Sequence, residues 1–327
     1  MTKKKKQHLK QQEKNNHVRI GGQAVINGVM LRSKDRYVVG VLREDKKLVF
    51  YEKEIRRSRL LRVMSSLPFI RGIFALIDSL VIGLDSLNFS SSVFEQTKQD
   101  NKKKTETETK HQTKEANVFG IIISLLIAIF VAILLFKYIP IYTVSLIQNK
   151  VKMNSFVFSL IEGLVRIIVF IIYLLLISLF KDIRTSFAYH GAEHAVVNAY
   201  ESLGRLPTLR ELVKFRNRTQ HNRCGTTYLI LVLIIAILIF SLVPVRYSIL
   251  SKIAARIVLL PLIAMLSYEM MMLYDAMKSR RSIAARAMAY LFAPFIELGL
   301  FLQSLTTRKP NKEQLNVALE VARKLLS

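Results

Sequence analysis

Apolar side chains gather into long runs from residue 118 onward. Residues 118–136 hold 19 uncharged side chains in succession, and a helix of that length rises about 28 Å, close to the hydrocarbon thickness of a bilayer. Residues 154–180 are longer and carry Glu162 and Arg166; residues 227–243 are short and purely apolar after Tyr228; residues 257–274 carry only Glu269. These four runs predict transmembrane helices. A fifth stretch, 284–302, contains Arg286, Pro294 and Glu297 and is expected to lie at the interface.

The first third has other periods. GGQAVINGVML opens residues 18–56 with two glycines that permit a tight turn. RYVVGVLR and KLVFYEKE, rich in β-branched and aromatic residues, flank a polar EDK and predict a β-hairpin. Within 60–90, Arg71, Asp78 and Asp85 recur every seven residues and share one helix face, the other being Phe, Ile, Leu and Val. That pattern suits a helix lying on a membrane or packed under a bundle. The expected organisation is a disordered basic tail (1–17), an N-terminal cytoplasmic element with hairpin and amphipathic helix (18–94), and a charged linker (95–117). A transmembrane bundle (118–277) with a His/Cys loop (181–226) follows, then C-terminal cytoplasmic or interfacial helices (278–327). The fold class is mainly α: a polytopic membrane bundle of about four transmembrane helices, a small N-terminal β-hairpin element and an interfacial helix.

Composition and charge sharpen this. The chain is 51% hydrophobic yet carries a net charge of +26, with a mean hydropathy of +0.30, a pairing foreign to soluble domains and natural to membrane proteins with basic loops. The 181–225 loop holds Lys181, Arg184, Arg205, Arg210, Lys214, Arg216, Arg218 and Arg223, against three basic residues in each of 137–153 and 244–256. By the positive-inside rule the N-terminus, the 181–225 loop and the C-terminus face the cytoplasm. One cysteine, Cys224, excludes an intrachain disulfide. The Lys-rich tail suits anionic lipid headgroups, and no RNA-binding motif accompanies it, so no specific nucleic-acid partner is expected.

Three of the six histidines, His190, His194 and His221, fall within 32 residues, and Cys224 lies three further on. YHGAEH places His190 and His194 one helical turn apart on one face, with Glu193 between them: the H-x-x-E-H order in which two His hold zinc and the Glu acts as general base. HNRC adds an H-x-x-C pair, and imidazole with thiolate is a donor set zinc prefers. The expected site is therefore one zinc at His190, His194, His221 and Cys224, with Glu193 catalytic. Two classes follow: a zinc-dependent enzyme, a hydrolase, if a coordination position stays open, or a membrane scaffold or transport-associated protein with a structural metal if four ligands close it. Among the charges inside apolar runs, Glu162 and Arg166 are spaced to pair along one helix. Glu269 has Met265 and Leu273 at those spacings and needs Arg166, water or a proton elsewhere.

GGQAVINGVM, SLPFIRGIFALIDSL followed by LNFSS, YHGAEH, HNRCGT, LSYE and LQSLTTRKPNKEQLNVAL, in that order, resemble the YqhQ-like family of bacterial membrane proteins. The resemblance covers nearly all of the chain from residue 19 onward except 95–117. It implies a multi-pass protein of the bacterial cytoplasmic membrane with metal-dependent chemistry at His190, Glu193, His194, His221 and Cys224. Asn27 and Ala195 depart from the family pattern, in which an acidic residue and a lysine stand there.

Overall fold

Alternating β-branched residues between 21 and 54 close into an antiparallel meander in a computed structural model of the chain, which describes residues 18–105, 118–148, 151, 153–242, 249–278 and 282–327. Its strands, β1 (Gly21–Val25), β2 (Gly28–Arg32), β3 (Arg36–Leu42) and β4 (Leu48–Glu54), pair in sequence order. The expected hairpin is β3–β4, with Leu42 opposite Leu48. The GGQAVINGVM segment is a second hairpin: its turn falls at Ile26–Asn27, not at the glycine pair, because Asn27 takes φ 51° and Gly28 follows. Asn27 is thus a turn residue, and its carbonyl accepts from Leu42 N at 2.8 Å.

The two sheet faces are used differently, as a period of two dictates. Val29, Leu31 and Val38 meet α6 (Lys181–Leu203), α7 (Leu209–Phe215) and α11 (Lys312–Leu326) in the largest core, where Ala195 is fully buried. Met30, Tyr37, Val39 and Val41 face Ile82 and Val93 of α2 (Ile70–Thr105). A short α1 (Arg59–Met64) precedes α2. No helix breaker interrupts Gln96–Thr105, so α2 runs through the start of the expected linker; residues 1–17 and 106–117 lie outside the described residues.

The polar stripe of α2 is half-buried, and each of its charges is paired with another element. Asp85 accepts from Tyr37, from Tyr51 at 3.2 Å and from Lys53 at 3.2 Å. Asp78 binds Arg57. Arg71 clamps Glu269 with two bonds of 2.6 Å, while Phe69 N donates to the same carboxylate at 2.9 Å. Glu269 therefore finds its cation on α2, while Arg166 pairs with Glu162 as its spacing predicts. The opposite side of α2 leaves Ile77, Leu80, Val81 and Leu84 exposed.

The bundle comprises α3 (Val118–Ile133), which continues through a π-helical turn (Leu134–Tyr138) into α4 (Ile139–Gln148), then α5 (Ser155–Ile177), α8 (Gly225–Ser241), α9 (Ile249–Lys278) and α10 (Ile283–Thr306). Four helices are long and apolar enough to cross a membrane: Leu126–Gln148, Phe156–Ile177, Ile257–Lys278 and Ile283–Thr306. The number matches the expectation but the membership differs. Gly225–Ser241 is a shorter apolar helix, packed against α5, α9 and α10, and the stretch expected at the interface has spanning length because it runs to Thr306.

Candidate metal centre

The site forms where α6 passes beneath β1 and meets the start of α8. YHGAEH lies in the middle of α6, with Glu193 and His194 3% and 2% exposed. Gly191 is required there: a Cβ would run into the Arg308 carbonyl, where Arg308 N donates to Phe187 O at 2.9 Å. Gly22 of β1 similarly leaves room for Glu193, whose Cγ lies 3.0 Å from where a Cβ would sit.

A backbone carbonyl can only accept, so the rings that face one must carry their proton there. His190 Nδ1 donates to Thr306 O at 3.0 Å and His194 Nδ1 to Thr219 O at 2.5 Å. That turns Nε2 of each ring inward, where it offers a lone pair once the ring is neutral. His190 Nε2 lies 3.3 Å from Cys224 Sγ, and donor atoms of His190, His194 and Cys224 all lie within 4.8 Å of one another. Tetrahedral zinc with its usual bond lengths needs nitrogen–sulfur separations of roughly 3.5 Å. Cys224 caps α8, its Sγ accepting from Thr226 N at 3.3 Å. Glu193 Oε2 lies 3.3 Å from His194 Nε2.

The electrostatics gather positive charge on His194 and negative charge on the Cys224 thiol. Burial alone would raise the Cys224 thiol, but His190 and His194 outweigh it and hold the thiol well below its ordinary range. Burial pushes the Glu193 carboxyl up against the pull of both histidines. Burial works to lower His194, yet Glu193 and Cys224 carry it up to about 9. At neutral pH a proton therefore stays on the inward nitrogen of His194 beside the Cys224 thiolate, and a metal ion bound by the same donor atoms would take that proton's place.

His221 stands beside this cluster. Its ring centroid is 6.0 Å from that of His194, and its Nε2 is 3.4 Å from Glu201 Oε2. The loop holding it is pinned from α6: Asn198 Nδ2 donates to the carbonyls of Arg218 at 2.8 Å and Gln220 at 3.0 Å, and Glu201 binds Arg223. Gln303 of α10, fully buried, accepts from His221 N at 2.8 Å and donates to its carbonyl at 3.2 Å. The sequence reading missed Asn198, Glu201 and Gln303, although His190, His194, Asn198 and Glu201 form one stripe of α6 at helical spacing. It also missed Arg32, which reaches the site from β2.

Two cavities adjoin the cluster. One of about 260 Å³ is lined by Arg19, Arg32, Glu193, His194, His221 and Cys224 among others. The second, about 610 Å³, runs from His190 and Cys224 between α2, α8 and α9. Arg32, Arg223, Cys224, Tyr268 and Met272 line both.

Fold and site together define a mainly helical protein with four helices of membrane-spanning character, a sheet domain built against them, and a buried two-histidine, one-cysteine pocket at the junction. The chain belongs to the family described as "Protein of unknown function (DUF1385)", which matches residues 67–327. It is 30% identical over 312 residues to "Uncharacterized protein YqhQ" of Bacillus subtilis (strain 168), covering 94% of this chain and 92% of that one. The family expected from the motifs is thus the one found, and neither description names a metal or an activity. No solved structure matches.

Proposed function

We propose that this is a multi-pass protein of the bacterial cytoplasmic membrane that binds one zinc ion through His190, His194 and Cys224 and acts as a hydrolase at the cytoplasmic face. The observation carrying this reading is the fixing of both rings by backbone carbonyls: orientation of a ligand histidine through its other nitrogen is how proteins prepare metal sites. Zinc in this pocket would supply Lewis acidity. Thr306 O and Thr219 O hold the rings, Cys224 brings anionic charge, and Glu193 takes up and releases a proton at Oε2. Three protein ligands leave a coordination position open, as catalytic zinc requires. His221, one ring away, is the residue that would close the site as a fourth ligand and make it structural. The Lys-rich residues 1–17 contact anionic lipid headgroups.

Metal analysis of the purified protein should find about one zinc per chain. His194→Ala should lose most of it, and Glu193→Gln should keep zinc while failing to complement a deletion strain. Full zinc in a His190→Ala/His194→Ala double variant would refute the site. Full complementation by Glu193→Gln would leave only the structural role, and tighter zinc loss in His221→Ala than in Cys224→Ala would make His221 a ligand.

A further inference from the structure

Arg32 is a cation that no anion binds directly among the described residues. It ends β2 and lines both cavities. Among the described residues no acceptor hydrogen-bonds it and no carboxylate lies within 4 Å of it; Asp78, the strongest charge acting on it, does so without a hydrogen bond and is already bound by Arg57. Burial is the main influence on its pKa, and lowers it. A desolvated guanidinium is stabilised by an oxyanion that fits its planar fork, and phosphate fits it best.

What lies beyond Arg32 is apolar. The larger cavity is walled by Leu76 and Leu80 of α2, Leu229 of α8, and Met271 and Met272 of α9. Leu80 and Leu229 at its rim are 57% and 59% exposed, on the same side as the exposed Ile77, Val81 and Leu84 of α2. The chamber thus opens through apolar side chains, an entrance suited to a chain arriving from lipid and ill suited to a free ion from water. Its volume falls within the range of ligand-holding clefts, about 300–1,000 Å³.

We propose that the site takes a phosphate-headed membrane lipid, its head on Arg32 beside the His/Cys cluster and its acyl tail in the chamber between α2, α8 and α9. This deepens the zinc-enzyme reading, on which its status as substrate rests; binding itself does not need the metal.

Titration of the detergent-purified full chain with dioctanoyl phosphatidic acid, inorganic phosphate and dioctanoylglycerol, followed by native mass spectrometry with zinc content recorded on each sample, tests it. The phosphatidic acid should bind one per chain, roughly tenfold or more tighter than either the head or the tail alone. Arg32→Gln should weaken the phosphatidic acid by roughly tenfold with zinc unchanged. Leu80→Glu, a change at an exposed rim position that spares the fold, should weaken the phosphatidic acid and leave inorganic phosphate unaffected. Equal affinity in both variants, phosphate binding as tightly as the lipid, or several lipids bound per chain regardless of variant overturns the proposal. Lipid bound at one per chain in zinc-free protein would sustain the site and defeat the zinc reading; zinc bound without the lipid would do the reverse.

Discussion

A histidine offers a lone pair to a cation only from the nitrogen its surroundings leave bare, so the carbonyls of Thr219 and Thr306 decide what His194 and His190 can do. Thr219 belongs to a loop, and Asn198 holds that loop through the flanking carbonyls of Arg218 and Gln220. Asn198 is therefore a positioning residue. Asn198→Ala should lower zinc affinity about 10–100-fold in a chelator competition with every ligand still present; unchanged affinity in the folded variant would show that the loop holds itself. Asp85 allows a test at lower pH. Its hydrogen bond from Tyr37 outweighs burial and, with Lys53, holds its carboxyl below the ordinary value of 3.8. A depressed folded pKa adds stability that is complete above the unfolded value and fades as pH falls through the folded one. Thermal midpoints should thus fall on acidification below about pH 4 more steeply in the parent than in Asp85→Asn, and equal slopes would assign the acid sensitivity to other carboxylates. The stripe of α6 that organises the site was legible as a period of 3.6, and Cys224 and the histidines as a cluster. Arg32 was not legible, because only the folding of β2 over α6 brings it there.

The elements show which sequence signals travel far. Apolar length alone located α3, α5 and α9, and β-branched alternation located β3–β4, since both signals are local. The Asn-Gly dipeptide at 27–28 carried the second hairpin's turn, a signal outweighed in the reading by the glycine pair before it. The partner of Glu269 was illegible: Arg71 lies 198 residues away, and only the docking of α2 on α9 joins them. That docking is close, since a Cβ on Gly72 would meet Tyr268 and Met265. The bidentate pair is partly buried, with side-chain exposures of 35% for Arg71 and 17% for Glu269. Arg71→Ala should therefore destabilise by about 2–3 kcal/mol, somewhat less than the loss of a fully buried partner. Arg71→Met combined with Glu269→Met should recover most of that, because no charge is then stranded. Thermal unfolding in detergent measures both. A double variant as unstable as the single would mean that the pair contributes attraction well beyond its desolvation.

The whole molecule constrains its own path through a bilayer. The sheet, α6 and α11 fill one core, so a chain inserted in a membrane must cross an even number of times between any two of them. Between β4 and α6 the two candidate crossings are Leu126–Gln148 and Phe156–Ile177. Between α6 and α11 lie α8, α9 and α10, of which an even number, two at most, can cross, so the shared core predicts against a total of five. Length favours α10 over α8, but position argues otherwise. Tyr228 near the start of α8 donates to Ala264 O of α9 at 3.4 Å, and Asp275, further along α9, lies 3.8 Å from Arg223 at the site. Helix α9 thus ends at the site, Ile283 follows soon after, and α10 finishes with Thr306 on His190. With both ends on one side, the unbroken α10 would lie along the membrane face, and we infer that α8 and α9 form the crossing pair. The 17 residues of α8 rise only about 26 Å, a mismatch of a few ångströms that local thinning accommodates at modest cost. Reporter fusions should place Gly204, Ser282 and the C-terminal Ser327 on the cytoplasmic side, as the basic loops dictate, and positions just after Gln148 and Leu242 outside. If Leu242 instead reports inside and Ser282 outside, α9 and α10 are the crossing pair and α8 is an internal helix. If Ser327 reports opposite to Gly204, the shared core of sheet, α6 and α11 is itself refuted.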